Sequence, residues 1–376
     1  MPVYLDNAST TKPCAEAVQS AISAMTQTYG NPSSLHKAGL EAQLVVDGAR
    51  KSVADSIGAD KDEIYFTSGA TESNNLALRG IAGAYGKRKK KIVISSVEHA
   101  SVAETAKVLE NSGFEVVRVK PREDGKFYTD DFLSACDRST CLLSVMYVNN
   151  ETGFVLPVGE IFKAVKKKYP EVITHCDCVQ AYMKLPVKVR NLSADLISLS
   201  GHKVHAVKGT GAVYIRKGVR TVPVITGGKQ EKGVRSGTES VPLIASFGTA
   251  VEKLSADIGD RYERVSALKA HLLGRLSEID GIEVNSPSDA SPYIVNISVC
   301  GKRSEIMLHF LESRGIYVSS GSACSKGQQS GVLQEFGITG KRADSALRIS
   351  MTAETNEQEL DLFVSAIKEG IESVRG

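Results

Sequence analysis

One cysteine, Cys324, sits in SSGSACSKGQQSG (residues 319–331), a run dominated by glycine, serine and alanine. A thiol in such a run is either a tolerated exposed cysteine or a nucleophile, because an accessible thiolate is the reactive form. Upstream, SLSGHKVHAVKGTG (198–211) ends an apolar run at Ser200-Gly201-His202-Lys203. A lysine there is a surface cation, or an amine able to form a Schiff base once its pKa is lowered. In HCDCVQA (175–181), strand alternation turns Asp177 away from the side shared by Cys176 and Cys178. A carboxylate at the end of an apolar strand needs a partner, and a protonated pyridine nitrogen would be one. The two thiols beside His175 lack further ligands at usable spacing, so they read as core-facing and no metal is expected. In TSGATESNN (67–75) a strand gives way to a helix. Free N–H groups and the helix dipole there suit an anion such as phosphate, with Thr71 adding a hydroxyl. Plain N-capping explains the same residues more simply, since Ser and Thr are common there.

These residues need elements to hold them. EIYFTSG (63–69), KIVISSV (91–97), FEVVRV, CLLSVMYVNN, VITHCD, ADLISLSG and GAVYIR read as strands. Helical patterns such as ATESNNLALRGIAGAYG and ASVAETAKVLENSG lie between them. That alternation predicts an α/β fold with a largely parallel sheet covered on both faces. Sites in such sheets lie at the carboxyl ends of the strands. Residues 240–279 read as one long helix bridging to a smaller α+β domain. The expected division is 12–248 for a large domain, with 1–11 and 249–376 forming the small one.

The 376 residues carry a net charge of +3, too little to imply a nucleic-acid partner. The basic cluster KRKKK (87–91) reads as a solvated helix end. No apolar run reaches membrane-spanning length, and no secretory signal is visible at the N-terminus. Seven cysteines without a framework spacing suggest reduced thiols and a cytoplasmic location.

Taken in order, YLDNASTTKP, NPSSLHKAG, SGATESNN, VEHASV, NNETG, HCDCVQA, SGHK, GGKQEKGVRSGTES, SSGSACS and ALRIS span nearly the whole chain. With them the sequence resembles the pyridoxal-phosphate-dependent cysteine desulfurases of the class V aminotransferase superfamily. The resemblance implies a fold-type I transferase with pyridoxal 5'-phosphate on Lys203. Asp177 would pair with the pyridine nitrogen and keep the ring an electron sink. Gln180 would bond the ring hydroxyl, and His99 would stack on the ring and shuttle protons. Ala70, Thr71, Ser200, Gly201 and His202 would surround the phosphate. Thr238 would reach the phosphate of a neighbouring subunit, which implies a homodimer. Asn150 would lie near ring and substrate, and Arg348 would clamp the substrate carboxylate.

Cys324 falls at the family's nucleophile. There it would take sulfur from L-cysteine as a persulfide, release L-alanine and pass the sulfur to an acceptor protein. One thiol serving two places requires a loop that moves, and glycine and serine permit that. The wording resembles the mobile-loop group that serves iron–sulfur cluster assembly and tRNA thiolation. Two departures stand out: Ala206-Val207 replace a usual Gly-Pro, and Lys229 replaces a glycine. Selenocysteine lyase, aminotransferase and non-catalytic sulfur carrier are the alternative activities.

Overall fold

The computed structural model describes residues 2–320 and 330–373. Among these residues the strands are β1 (Val3–Tyr4), β2 (Ile64–Thr67), β3 (Lys91–Ser95), β4 (Glu115–Val119), β5 (Thr140–Ser144) and β6 (Ile173–Asp177). They continue with β7 (Leu196–Ser200), β8 (Gly211–Ile215), β9 (Ile282–Val284), β10 (Ile294–Val299), β11 (Ile316–Tyr317) and β12 (Ala346–Ser350). Seven of them form one sheet in the order β2-β8-β7-β6-β5-β3-β4. Its members from β7 to β4 run parallel, while β8 is antiparallel to both β7 and β2. The central strands β5, β6 and β7 are buried at every residue, as a sheet covered on both faces requires. A second sheet of order β12-β10-β9 is antiparallel. The N-terminal β1 pairs in parallel with β11, and Asp6 continues that path by bridging to Ser350.

The sequence reading differs from the structure in three places. CLLSVMYVNN keeps strand geometry only to Ser144; beyond it the chain turns into the loop that carries Asn149 and Asn150. The run 240–279 is two helices, Val241–Ser255 and Ile258–Leu276, not one. The first packs on helices Ala15–Thr26 and Lys37–Ile57, and the second on helix Glu357–Ser373. The break at Ala256-Asp257 lets each half bury its apolar face against a different partner. Finally, Lys91 of the basic run opens β3 and pairs with Asp137 at 2.9 Å instead of facing solvent.

Close backbone approach fixes the position of the helix Ala70–Tyr85. A Cβ on Gly211 would stand 2.6 Å from the Leu199 oxygen and 2.8 Å from Gly69 Cα. Only a missing side chain lets β8 pass the start of that helix. Gly211→Ala is therefore expected to destabilise the fold by roughly 1–3 kcal/mol, as overpacking does. Gly274, helical with open space around it, gives the contrast. Gly274→Ala should stabilise by about 0.5–1 kcal/mol. Urea midpoints of the two variants check both signs.

Candidate active site

The carboxyl ends of the parallel strands converge on one region. β6 ends at Asp177, β7 ends at Ser200 ahead of Lys203, and β3 leads through Glu98 to His99. β2 leads through Gly69 to Ala70, the first residue of its helix. Lys203 Nζ donates to the carbonyls of Ala8 and of Ser9, the latter at 2.6 Å. Gln180 Nε2 donates to the same Ala8 oxygen at 2.9 Å. The N-terminal segment thus joins two residues that the sequence singled out separately. Burial, and Arg348 nearby, push the Lys203 amine down to about 8, which raises its neutral, nucleophilic fraction.

Asp177 is buried and accepts from Val179 N at 3.0 Å and Asn74 Nδ2 at 2.7 Å. Asn74 also donates to Ser101 Oγ at 2.8 Å, and Ser101 Oγ lies 2.8 Å from His99 Nδ1. The Ser101 backbone N–H points at the same ring nitrogen at 3.1 Å. His99 Nδ1 is therefore an acceptor, and the neutral ring carries its proton on Nε2. This chain couples the carboxylate to the histidine through two residues that the sequence reading left without a role. Asn74 and Ser101 lay within the quoted SGATESNN and VEHASV, but nothing in their spacing showed that they meet. His99 also caps helix Ala100–Asn111. Beside it a cleft of about 460 Å³ opens between this helix and Ala70–Tyr85, lined by Thr71, Asn75, Arg79, His99, Ser101 and Glu104.

Of the phosphate candidates, Ser200, Gly201 and His202 follow one another at the end of β7, and Ala70 and Thr71 open the helix after β2. Ser200 Oγ is buried with no hydrogen-bond partner among the described residues. Gly201 is packed so that a Cβ would meet Thr210 Cγ2 at 2.8 Å and Ala206 Cβ at 3.3 Å. His202 is held neutral: burial and Lys203 push its imidazole down to about 4. Ala206 and Val207 fit this turn without a proline, because Val207 N donates to Ser246 Oγ at 3.0 Å. Lys229 is exposed, beside the pair of half-buried Arg50 and buried Glu231 at 2.7 Å. A buried hydroxyl lacking a partner, a helix start and a carboxylate held by N–H donors make a fitting donor set for a phosphorylated, aldehyde-bearing pyridine.

Arg348 is 5% exposed and gathers three segments. Its Nη1 donates to the Asn150 carbonyl at 3.0 Å, and its Nη2 to Asp6 Oδ1 at 2.9 Å and Ser9 Oγ at 2.6 Å. Its Nε is buried without a partner among the described residues. Cys324 lies outside the described residues, but both flanks of its segment touch this cluster. Ser319 pairs with the Arg348 backbone, and Ser330 Oγ donates to Glu151 Oε2 at 2.6 Å. Thr238 is exposed, and among the described residues it makes no hydrogen bond to Thr71, Ser200, Gly201 or His202.

Glu98, one residue before His99, is fully enclosed. It accepts from Ser95 Oγ at 2.6 Å and Met146 N at 2.7 Å, while its Oε2 has no partner among the described residues. Burial pushes its carboxyl up to about 8. A folded-state pKa above the unfolded value stabilises fully below the unfolded value and is lost as pH rises toward 8. Glu98→Gln should therefore gain stability over the parent as pH rises from 5 to 8, by at most about 1.4 kcal/mol per pH unit. Thermal midpoints of both proteins across that range check it; a constant difference would contradict it.

Comparison with known proteins bears on the family and the fold. The pattern of the Aminotransferase class-V family matches residues 3–363. A cysteine desulfurase IscS from Methanosarcina thermophila is 37% identical over 99% of this chain and 93% of its own. A solved NifS-like protein superposes with a TM-score of 0.94 at 36% identity, covering 99% of this chain and 100% of its own. A structure titled SspA in complex with cysteine reaches a TM-score of 0.83 at 31% identity, over 94% of this chain and 99% of its own. With a family match along nearly its full length and near-complete overlap with NifS-like relatives, the chain belongs to the aminotransferase class-V family.

Proposed function

We propose that this protein is a pyridoxal-phosphate-dependent cysteine desulfurase, converting L-cysteine to L-alanine and delivering the sulfur to an acceptor. The observation that carries the reading is the joint placement of Lys203, Gln180 and Asp177 about the strand ends, with Arg348 alongside. When bound, pyridoxal 5'-phosphate supplies an electron sink for charge developing at the substrate's Cα. Lys203 would hold it, Asp177 would face its ring nitrogen, and Gln180 would donate to its ring oxygen. Ser200, His202, Thr71 and the amides at Ala70 and Gly201 would take its phosphate. Thr238 of a second subunit would complete that grip, so the active form is a homodimer.

Arg348 orients the substrate by its carboxylate. Its Nε is uncommitted, and its Nη2 is shared with Asp6 and Ser9, contacts that an incoming carboxylate can replace. Asn150 closes the same end of the pocket. Lys203 Nζ, with its lowered pKa, accepts the proton from the substrate Cα. His99, with its proton on Nε2, is placed to donate. The Cys324 thiolate attacks the substrate sulfur; the Cβ–S bond breaks, an S–S bond forms, and the carbon skeleton leaves as alanine after protonation. The reaction moves one sulfur and needs no external oxidant.

We read residues 12–248 as the cofactor domain and 1–11 with 249–376 as the small domain that carries Cys324. Among the described residues no helix is long and apolar enough to cross a membrane. Six cysteines among those residues form no disulfide, in keeping with a reducing, cytoplasmic setting. The acceptor we propose is a protein of iron–sulfur cluster assembly or tRNA thiolation, on the strength of the family resemblance.

Brief exposure of the holoenzyme to L-cysteine should add one sulfur to the Cys324 peptide, read by mass spectrometry, and release alanine. Lys203→Ala should abolish both, and Cys324→Ala should abolish the sulfur adduct. Alanine at the level of a blank would refute the activity. A sulfur on Cys176 or Cys178 instead would refute the assignment of the nucleophile.

A further inference from the structure

A second amine shares the pocket with Lys203 and has no part in the chemistry described above. Lys184 is 7% exposed and makes no ion pair among the described residues. Its Nζ donates to Gln180 Oε1 at 3.0 Å and stands 5.8 Å from the centre of the Tyr293 ring. A buried amine without a carboxylate is costly, and a chain retains one only where something holds it there. Burial, together with Lys203 and Arg348, pushes it down to about 7. Protonated or neutral, the amine still carries N–H to donate.

The backbone is bent to bring it there. The Lys184 and Leu185 N–H groups both return to the Ala181 carbonyl, and Met183, just before them, adopts φ +58°. A left-handed methionine is disfavoured by about 1–2 kcal/mol. That turn points Lys184 back at the side chain four residues earlier.

The consequence falls on Gln180. A carboxamide can face either way, and the groups around it decide which end is presented. Lys184 donates to the oxygen, and as an ammonium it has only hydrogens to offer. Ala8 has only a carbonyl to offer, so it claims the nitrogen. The same Ala8 oxygen receives Lys203. Three hydrogen bonds therefore run from Lys184 through Gln180 and Ala8 to Lys203, leaving one Gln180 N–H to donate elsewhere.

We propose that Lys184 is a positioning residue: it fixes the Gln180 carboxamide so that its N–H, and not its oxygen, is presented to an anionic ring oxygen beside Lys203. This rests on the cofactor reading above, since such an oxygen belongs to the bound pyridoxal ring. Tyr293 forms part of the enclosure and has a buried hydroxyl with no partner among the described residues.

The test uses the reconstituted holoenzyme and the pH midpoint of its visible absorption band. Lys184→Met should move the midpoint by about one unit, the scale of one lost hydrogen bond. Lys184→Gln, which keeps a donor and loses the charge, should leave it near the parent value. In a Gln180→Met background, Lys184→Met should add no further shift. Lys184→Ala serves for Lys184→Met if the latter does not fold. An unmoved midpoint in Lys184→Met overturns the proposal. So does an equal shift in Lys184→Gln, which would mean charge alone, or additive shifts in the double variant. A parent protein whose band does not depend on Lys203 would instead sink the cofactor reading, and the proposal with it.

Discussion

A surplus of buried positive charge governs this pocket. Lys203, Lys184 and Arg348 sit close enough to repel one another, with Asp6 and Asp177 as the nearby carboxylates. Taking an ammonium out of water is costly, so both amines are pushed down toward neutrality. A guanidinium does not deprotonate, so Arg348 must be paired, and Asp6 meets it at 2.9 Å. Two further carboxyls lean toward their neutral form through burial: Glu98 at about 8 and Glu151 at about 7. They offset little of the charge. Such a pocket is complementary to a ligand bearing phosphate and a substrate bearing carboxylate.

Meeting that constraint requires parts of the chain far apart in sequence. Residues 5–9 supply Asp6 and the carbonyls of Ala8 and Ser9, and they are stitched to Ser350 near the other end. Ala8 N donates to Ser350 Oγ at 2.8 Å, and Asn7 Nδ2 donates to the Ser350 carbonyl at 2.9 Å. That stitching fixes the Ala8 oxygen on which Lys203 and Gln180 meet. It also ties the small sheet, through β12, to the carboxyl ends of the large one. Arg348 lies two residues from Ser350 on the same strand, so its side chain inherits the same anchoring.

Left-handed residues recur where the chain turns sharply. Glu231 and Lys232 have φ of +46° and +56° in succession. The cost of about 1–2 kcal/mol each is offset locally. Glu231 takes both forks of the Arg50 guanidinium, at 2.7 and 2.8 Å, and the Phe66 N–H at 3.0 Å. His205, at φ +60°, is held by its N–H on Thr11 Oγ1 at 2.8 Å. The strained turns are thus over-determined by charge-assisted and backbone hydrogen bonds.

Sequence alone determined the repeating strand and helix pattern, because short apolar runs and turn residues are local signals. It made Lys203 and Asp177 candidates for the same reason: each stands at the carboxyl end of a strand-like apolar run. It could not show the break at Ala256-Asp257, since both halves have helical composition and only their separate packing partners divide them. The roles of Asn74, Ser101, Ala8 and Lys184 were likewise decided by tertiary structure. Each acts through a hydrogen bond to a residue that folding brings near, or through burial that changes its proton affinity. Residue type and spacing mark candidate reacting groups; their orientation and charge state are properties of the folded surroundings, because desolvation and hydrogen-bond geometry exist only once the chain has closed on itself.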